Sequence, residues 1–195
     1  MADPPGLVLG ISGASGAVLT EATVRALQDL DIPLEVVCSD YGALMWHQET
    51  DERFSDAAMR WSARGRVTVH RPQDVAAPIS SGSYPTRGMA IVPCSMATVG
   101  AIASGAGQNL LHRAADVTLK EKRRLVVVPR ETPLSLIHLR NLTSLAEAGA
   151  VILPPDPAFY LRPDSVEAIV DALAERILYA VGVTPRVAEA HAWTD

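Results

Sequence analysis

The chain is poor in cysteine, in positive charge and in long apolar runs. Its 195 residues include only two cysteines, Cys38 and Cys94, and no CxxC pair, so we expect no disulfide framework and a reducing, cytoplasmic location. The net charge of −5, from 17 basic and 22 acidic residues, disfavours nucleic acid as the main partner, because phosphate neutralisation needs a basic surface. No apolar run approaches the roughly 20 residues of a membrane span. The start, MADPPG, lacks the basic and apolar parts of a secretory signal, so we expect neither a membrane segment nor a signal.

Short apolar runs alternate with segments of helical periodicity. Nearly continuous apolar runs are typical of strands buried on both faces of a parallel sheet. The predicted strands are Leu7–Ile11, Leu34–Cys38, Arg66–His70, Met89–Cys94, Leu125–Pro129 and Ala150–Leu153. The predicted helices include one through Leu19 and Leu30, one capped by Asn109 and running through Lys120 towards Arg124, and Ser135–Ala148 and Ser165–Val181, with stop signals at Gly149 and Gly182.

This alternation predicts a single-domain, doubly wound α/β fold of the Rossmann-like type. We expect a parallel sheet of about six strands with helices on both faces. One domain is expected to span residues 1–195, with a core at 3–184 and a tail at 185–195. The segment Arg71–Arg87 is rich in proline, serine and glycine and has no clear period, which indicates a long functional loop.

The glycine-rich segment GISGASGA, Gly10–Ala17, joins the first strand to the first helix. A P-loop is excluded, because no Gly-Lys pair occurs in the chain. The dinucleotide pattern GxGxxG is matched imperfectly, and Ser39, followed by Asp40, stands where that pattern wants an acidic residue, so NAD is disfavoured. Small residues at a helix N-terminus favour an anion or a flat ring. A tight turn that holds no ligand remains the alternative.

Two later strand ends carry similar turns. PCSMATVGAIASG, Pro93–Gly105, again leads from a strand through small residues into a helix. VPRETPLS, Val128–Ser135, places Arg130 and Glu131 at a third strand end, unless these two form only a solvated surface pair. Turns that face each other across a switch point in strand order build a crevice above the strand ends.

Several blocks together resemble one family. GISGASGA, SSGS at Ser80–Ser83, PCSMAT, RAADVTLKEKRRLVVVPRETPLSLIHLRN and GAVILPPDPAFYLRP are similar to the UbiX/Pad1 flavin prenyltransferases over essentially the whole chain. The resemblance implies an enzyme that joins a dimethylallyl group, from dimethylallyl monophosphate, to N5 and C6 of reduced FMN. The prenylated FMN would serve a UbiD-type decarboxylase. Relatives form dodecamers, so the resemblance also implies a homo-oligomer.

The resemblance also implies roles for individual residues. Ser15, Glu49 and Glu131 would act in catalysis, with Glu131 exchanging a proton with the leaving phosphate and Glu49 working with Ser15 on the ring proton. The FMN would contact Gly13, Ala14, Ser15, Ser39, Ser95, Met96, Ala97, Thr98 and Arg130. The prenyl phosphate would contact Arg113, Lys120, Glu131, Tyr160 and Arg176, with residues crossing a subunit interface. No DDxxD motif is present, so these cations would replace a metal ion.

Some residues have simpler interpretations. Glu49 could be an exposed carboxylate at a helix end, and Lys122–Arg124 are expected to be a solvated basic helix end. His47 and His138 are interpreted as structural, and Cys94 as an inert buried thiol. The chain departs from the family pattern at two places: Asp40 stands where many relatives have a lysine, and the tail has Trp193 but lacks their Arg-Trp pair.

Three other functions remain open at this point. A related FMN-dependent cysteine decarboxylase would share the fold, but its PxMNxxMW-type motif and its catalytic histidine are not found in the sequence. A non-catalytic FMN carrier would not need the second phosphate pocket, for the prenyl phosphate, that the resemblance implies. A direct aryl-acid decarboxylase would need an electron sink for the decarboxylation, and this chain offers none without a modified cofactor.

Overall fold

The computed structural model describes residues 5–186, and its framework is one parallel six-stranded sheet. The strands are β1 (Leu7–Ile11), β2 (Leu34–Cys38), β3 (Val67–His70), β4 (Gly88–Cys94), β5 (Arg124–Pro129) and β6 (Val151–Ile152). Every predicted strand is therefore confirmed, with each boundary within one residue of its predicted place. Residues 187–195, with Trp193, lie outside the described part of the chain, so the predicted tail is described only as far as residue 186.

The strand order is β3-β2-β1-β4-β5-β6, and all neighbouring strands are parallel. The order reverses between β1 and β4, and in open parallel sheets such a switch point opens a crevice outside the carboxyl ends of the strands. The turns that follow β1, β2, β4 and β5 all leave this carboxyl edge. The topology thus brings the glycine-rich segment after β1, the PCSMATVGAIASG segment after β4 and the VPRETPLS segment after β5 to one side of the molecule.

Helices cover the sheet on both faces, as predicted, and residues 5–186 contain seven α-helices. They are α1 (Ala17–Asp29), α2 (Asp40–Thr50), α3 (Phe54–Arg64), α4 (Met96–Ala103), α5 (Leu110–Lys120), α6 (Leu136–Glu147) and α7 (Val166–Val181). The two central strands β1 and β4 are buried along their whole length. Alternate side chains of β1 enter different layers: Leu7 and Leu9 pack with α1 and α7, whereas Val8 packs with α4 and α5. This two-sided burial explains the continuous apolar runs in the sequence.

Helices α2 and α3 are the elements that the sequence pattern did not delimit. Helix α2 buries only Gly42 and Trp46, so it has no periodic apolar face. It is anchored instead by an aromatic cluster in which Trp46 packs edge-on against Trp61 at 5.2 Å and against Phe54 at 6.0 Å between ring centroids. Tertiary packing, rather than periodicity, therefore holds this helix.

Two expectations for the segment before β5 are wrong. Helix α5 ends at Lys120 rather than continuing towards Arg124, because Lys122 has a left-handed φ of 56° and Arg124 begins β5. Lys122 and Arg124 are exposed, as expected, but Arg123 is only partly exposed, and its guanidinium donates to the carbonyl oxygens of Gly82 at 2.6 Å and Tyr84 at 2.9 Å. Arg123 instead fastens the long loop to the end of α5.

The loop of residues 71–87 is also fastened at a second point. It contains a short 3-10 turn, Pro78–Ser80, and its Tyr84 hydroxyl donates to Glu35 Oε1 at 2.7 Å. Glu35 Oε2 lies 2.6 Å from His70 Nε2, at the end of β3. Burial, the largest influence, raises the pKa of Glu35, but the hydrogen bonds from His70 and Tyr84 and the charge of His70 hold that pKa below its ordinary value.

We expect Glu35→Gln to lower the free energy of unfolding by about 1–3 kcal/mol at neutral pH, because charged hydrogen bonds of a half-buried group are lost. A carboxyl whose pKa is lowered by folding adds stability above its unfolded pKa, and that stability is lost as the pH falls through the folded pKa. The variant should therefore lose less stability than the wild type between about pH 5 and pH 3. Urea unfolding across this range measures both effects. Glu147→Gln, an exposed carboxyl in α6, is the control, and equal pH profiles for wild type and Glu35→Gln would contradict the prediction.

Candidate functional site

The turn after β1 is shaped so that another helix lies directly on it. A Cβ atom on Gly13 would stand 2.5 Å from Tyr41 Cβ, and one on Gly42 would stand 2.8 Å from the Ile11 carbonyl oxygen. Both separations are too short for real atoms, so only glycine permits α2 to cross the turn at this distance. Gly16, the last residue before α1, has a φ of 141°, which also favours glycine. The glycine spacing therefore serves the packing of α2 as well as the turn itself.

The N-terminus of α1 is occupied by the side chain of Glu49. Its carboxylate accepts hydrogen bonds from the backbone N–H of Gly16, at 3.0 and 3.2 Å, and of Ala17, at 2.8 Å. Partial burial, the largest influence, raises the pKa of Glu49, but hydrogen bonds from Ser15, Gly16 and Ala17 and the charge of Arg130 hold it below its ordinary value. Glu49 is exposed, as expected of a carboxylate at a helix end, yet its hydrogen bonds hold it against the first turn of α1. Ser15 does not cap α1, because the N-cap residue of that helix is Gly16, which has no side chain with which to make a capping hydrogen bond.

Ser12 couples the turn after β1 to the turn after β4. It is 1% exposed, its hydroxyl accepts from the Ser95 N–H at 2.8 Å, and it donates to the Pro93 carbonyl oxygen at 3.2 Å. Sequence reasoning missed Ser12; the available signal was a serine placed between a buried strand and a glycine turn. Because of this coupling, the two turns on either side of the switch point have a fixed separation.

The turns after β2 and β4 begin their helices in the same way. The Ser39 hydroxyl accepts from the Gly42 N–H at 3.0 Å at the start of α2, and the Ser95 hydroxyl accepts from the Thr98 N–H at 3.3 Å at the start of α4. Asp40, the departure noted above, accepts from Gln73 Nε2 at 3.2 Å. It therefore contacts the long loop.

Arg130 brings the turn after β5 into the same group. Its N–H donates to the Cys94 carbonyl oxygen at 3.2 Å, and its Nε donates to the Ser15 carbonyl oxygen at 3.3 Å. Glu131 is exposed and accepts from the Thr132 N–H at 3.0 Å. The structure thus brings together, at the carboxyl edge, the residues expected to bind FMN and the three expected to act in catalysis.

The residues expected to bind the prenyl phosphate are distributed differently. Arg113 Nε donates to the Ser80 carbonyl oxygen at 3.1 Å, and Lys120 pairs with Glu121 at the end of α5. Because α5 ends just before the amino end of β5, Lys120 lies near the opposite edge of the sheet from Glu131. Within one chain, therefore, Lys120 and Glu131 do not share a pocket.

Tyr160 and Arg176 follow β6. Tyr160 lies in a 3-10 turn, Phe159–Leu161, and is exposed, whereas Arg176 lies in the second half of α7. The guanidinium of Arg176 stands 5.3 Å from the Tyr179 ring centroid, a cation–π contact on the helix surface.

Cys94 and His138 have structural surroundings, whereas His47 is exposed on α2. Burial raises the pKa of the Cys94 thiol to about 12, which suits an inert thiol. His138 caps α6 together with Ser135, each side chain accepting from the other residue's backbone N–H. Within residues 5–186, no three histidine, cysteine or acidic side chains come together as a metal site, and no helix there has the length and apolar character to span a membrane.

Comparisons with known proteins identify the family. The model of the Flavoprotein family matches residues 2–178. A flavin prenyltransferase UbiX of Synechocystis sp. is 47% identical over 188 residues, which cover 91% of this chain and 90% of the relative. The chain belongs to the flavin prenyltransferase family. Its members are enzymes that transfer prenyl groups, and the fold and family expected from the sequence are confirmed.

Solved structures of flavin prenyltransferase relatives have the same architecture. A crystal structure of AnUbiX (PadA1) in complex with FMN and dimethylallyl pyrophosphate is 44% identical, with a TM-score of 0.85 over 91% of this chain and 92% of that one. A dodecameric FMN-dependent UbiX-like decarboxylase from Escherichia coli O157:H7 is 42% identical, with a TM-score of 0.84 over 91% and 94% of the two chains. The FMN-dependent cysteine decarboxylase TvaF, at 16% identity and a TM-score of 0.62, shares the fold alone.

We expect Ser12→Ala to destabilise this family member by about 1–3 kcal/mol, because the part-buried Ser95 N–H would lose its acceptor. Amide hydrogen exchange at Ser95 should quicken, since the turn after β4 is freed from the turn after β1. Urea unfolding and exchange measured by NMR test both effects. Ser144→Ala, an exposed hydroxyl in α6, is the control. Unchanged exchange at Ser95 in a folded Ser12→Ala variant would show that the coupling is unimportant.

Proposed function

We propose that the protein transfers a dimethylallyl group from dimethylallyl monophosphate to N5 and C6 of reduced FMN without a metal ion. In this reaction the allylic C–O bond breaks, phosphate leaves, and a C–N bond replaces the N5–H bond of the flavin. The C–C bond forms when flavin C6 adds to the prenyl double bond, with loss of the C6 proton and gain of a proton at the neighbouring prenyl carbon. The product, prenylated FMN, is proposed to serve a UbiD-type decarboxylase in the cytoplasm. The observation that carries the proposal is the convergence of the turns after β1, β4 and β5, which Ser12 and Arg130 join at the carboxyl edge.

The residues present at this edge fit a flavin mononucleotide. Ala14 and Ser15 have small side chains that let a flat ring approach the backbone of the first turn next to Gly13, whose other side packs against Tyr41 of α2. The turn after β4 adds Ser95, Met96, Ala97 and Thr98. Ser39 offers a hydroxyl at the start of α2, and Arg130 supplies positive charge between the turns. When bound, reduced FMN supplies the nucleophilic nitrogen and carbon that form the new bonds.

The proton lost at the flavin nitrogen is proposed to pass through Ser15 to Glu49. The lowered pKa of Glu49 keeps this carboxylate ionised at neutral pH, so it begins as an acceptor. Glu131, beside Arg130, is proposed to exchange a proton with the departing phosphate. Preorganised cations stabilise the charge that develops on the phosphate, which is the task that a metal ion performs in other prenyl transfers.

The phosphate site is proposed to be completed by neighbouring copies of the chain. Arg113, Lys120, Tyr160 and Arg176 would then meet Glu131 across subunit interfaces, since Lys120 and Glu131 lie at opposite edges of one sheet. A homo-oligomer, proposed to be a dodecamer like the Escherichia coli relative, is also supported by exposed apolar side chains. Ile137 is 69% exposed and Phe159 is 72% exposed, as expected of surfaces that are covered on assembly.

We expect purified protein, reduced FMN and dimethylallyl monophosphate, incubated without oxygen, to yield a flavin heavier by one C5H8 unit. The mass of the released flavin measures this directly. Omitting Mg²⁺ and adding a chelator should leave the yield unchanged, because the side-chain cations hold the phosphate. The pyrophosphate donor is run in parallel to identify the preferred leaving group. No mass gain with either donor would refute the proposed function.

A second prediction concerns Glu131. Glu131→Gln keeps the size of the side chain but cannot take or give the proton, so turnover should fall by about 100-fold. FMN affinity, measured by flavin fluorescence, should stay within about twofold, because Glu131 is an exposed side chain outside the proposed ring contacts. The control is Glu147→Gln. Normal turnover by Glu131→Gln would remove Glu131 from the mechanism, and FMN binding with no turnover in the wild type would favour a carrier.

A further inference from the structure

Helix α1 begins where related folds hold a nucleotide. In doubly wound sheets with this strand order, a pyrophosphate lies against the N-terminus of the first helix, bound by its free backbone N–H groups and by the helix dipole. Here those donors already have an acceptor, because both oxygens of Glu49 take the N–H of Gly16 and one also takes that of Ala17. The chain fills the anion position with its own carboxylate.

The position of Glu49 is built into the fold. Glu49 is one helical turn beyond Trp46, which is 2% exposed and packs against Trp61 and Phe54. At the other end of α2, Gly42 allows the helix to approach the end of β1. Both ends of α2 are therefore packed against the rest of the fold, and this packing holds the backbone of Glu49 beside the N-terminus of α1.

The charge of Glu49 opposes a second anion at the same place. Hydrogen bonds from Ser15, Gly16 and Ala17 and the nearby Arg130 outweigh the effect of burial and hold the pKa of Glu49 below its ordinary value, so the group is ionised at neutral pH. A phosphate at the N-terminus of α1 would have to displace this carboxylate from its donors or lie beside a like charge. An uncharged ring meets neither obstacle.

We propose that Glu49 determines nucleotide specificity: its carboxylate takes the place of a pyrophosphate at α1 and restricts the first turn to the uncharged part of a flavin mononucleotide. This inference rests on the proposed flavin site and concerns which nucleotides that site rejects. Flavins and nicotinamide cofactors that carry a pyrophosphate are excluded by an internal anion as well as by the imperfect glycine pattern. The role is separate from any proton transfer by the same carboxylate.

Binding measurements on oxidised nucleotides test the proposal without using turnover. Kd values for FMN, FAD and inorganic pyrophosphate are measured by fluorescence or calorimetry on wild type, Glu49→Ala, Glu49→Gln and the control Gln48→Ala, an exposed neighbour on α2. We expect wild type and Gln48→Ala to prefer FMN strongly and to bind pyrophosphate poorly. In Glu49→Ala, pyrophosphate should bind about tenfold more tightly and the preference for FMN over FAD should shrink by about tenfold, since free N–H donors replace a negative charge.

The two substitutions separate charge from shape. Glu49→Gln removes the charge but leaves a side chain of similar size, so we expect it to gain less pyrophosphate affinity than Glu49→Ala. If Glu49→Ala does not fold, Glu49→Gln tests the proposal by itself. Pyrophosphate affinity and FMN-to-FAD preference that match the wild type in the folded variants would overturn the proposal. Failure of the proposed function looks different, because wild type would then bind no FMN or would bind FMN without any mass gain in the prenylation assay.

Discussion

The hydrogen bond from the Ser95 N–H to the Ser12 hydroxyl holds the centre of this structure together. It joins the ends of β1 and β4, the two strands between which the strand order reverses, and its acceptor belongs to Ser12, which is buried. A crevice at a switch point is useful only if its walls keep a constant separation. The Ser12 hydrogen bond fixes the distance between the turns after β1 and β4. Arg130, which donates hydrogen bonds to the carbonyl oxygens of Ser15 and Cys94, holds the turn after β5 against both.

The distribution of charge around this crevice is consistent with two different tasks. At the first turn, a single carboxylate from α2 satisfies the N-terminus of α1, which leaves a surface of small uncharged side chains for a ring. At the turn after β5, Arg130 and Glu131 are neighbouring exposed side chains, an arrangement that suits the proposed exchange of a proton with a leaving phosphate. Because the other basic candidates lie on α5 and α7, the proposed reaction needs a second copy of the chain, and the exposed apolar side chains of α6 and of the loop after β6 are suited to bring one.

Much of the fold could be predicted because parallel strands buried on both faces leave a strong pattern of continuous apolar residues. The cap at Asn109 was equally readable, since its side chain accepts a backbone N–H at the helix start. Ser135 and Ser165, predicted as the first residues of two helices, cap those helices in the same way. Helix α2 was not readable, because its packing depends on one tryptophan and one glycine rather than on a periodic face. Arg123 was misjudged for a similar reason: a basic run next to a helix end looks solvated until the loop that accepts its hydrogen bonds is in place.

By itself, the sequence determined the strands, most helices, the glycine-rich turn and, through its resemblance, the family. Local composition suffices for these because burial and capping act over a few residues. Only the tertiary structure decided that Glu49 reaches back 33 residues to α1 and that Ser12 connects two turns 83 residues apart. It also decided that Lys120 and Glu131 lie at opposite edges, since the direction of α5 follows from how β4 and β5 pair. Contacts of this kind depend on which elements pack together, and no local pattern records that.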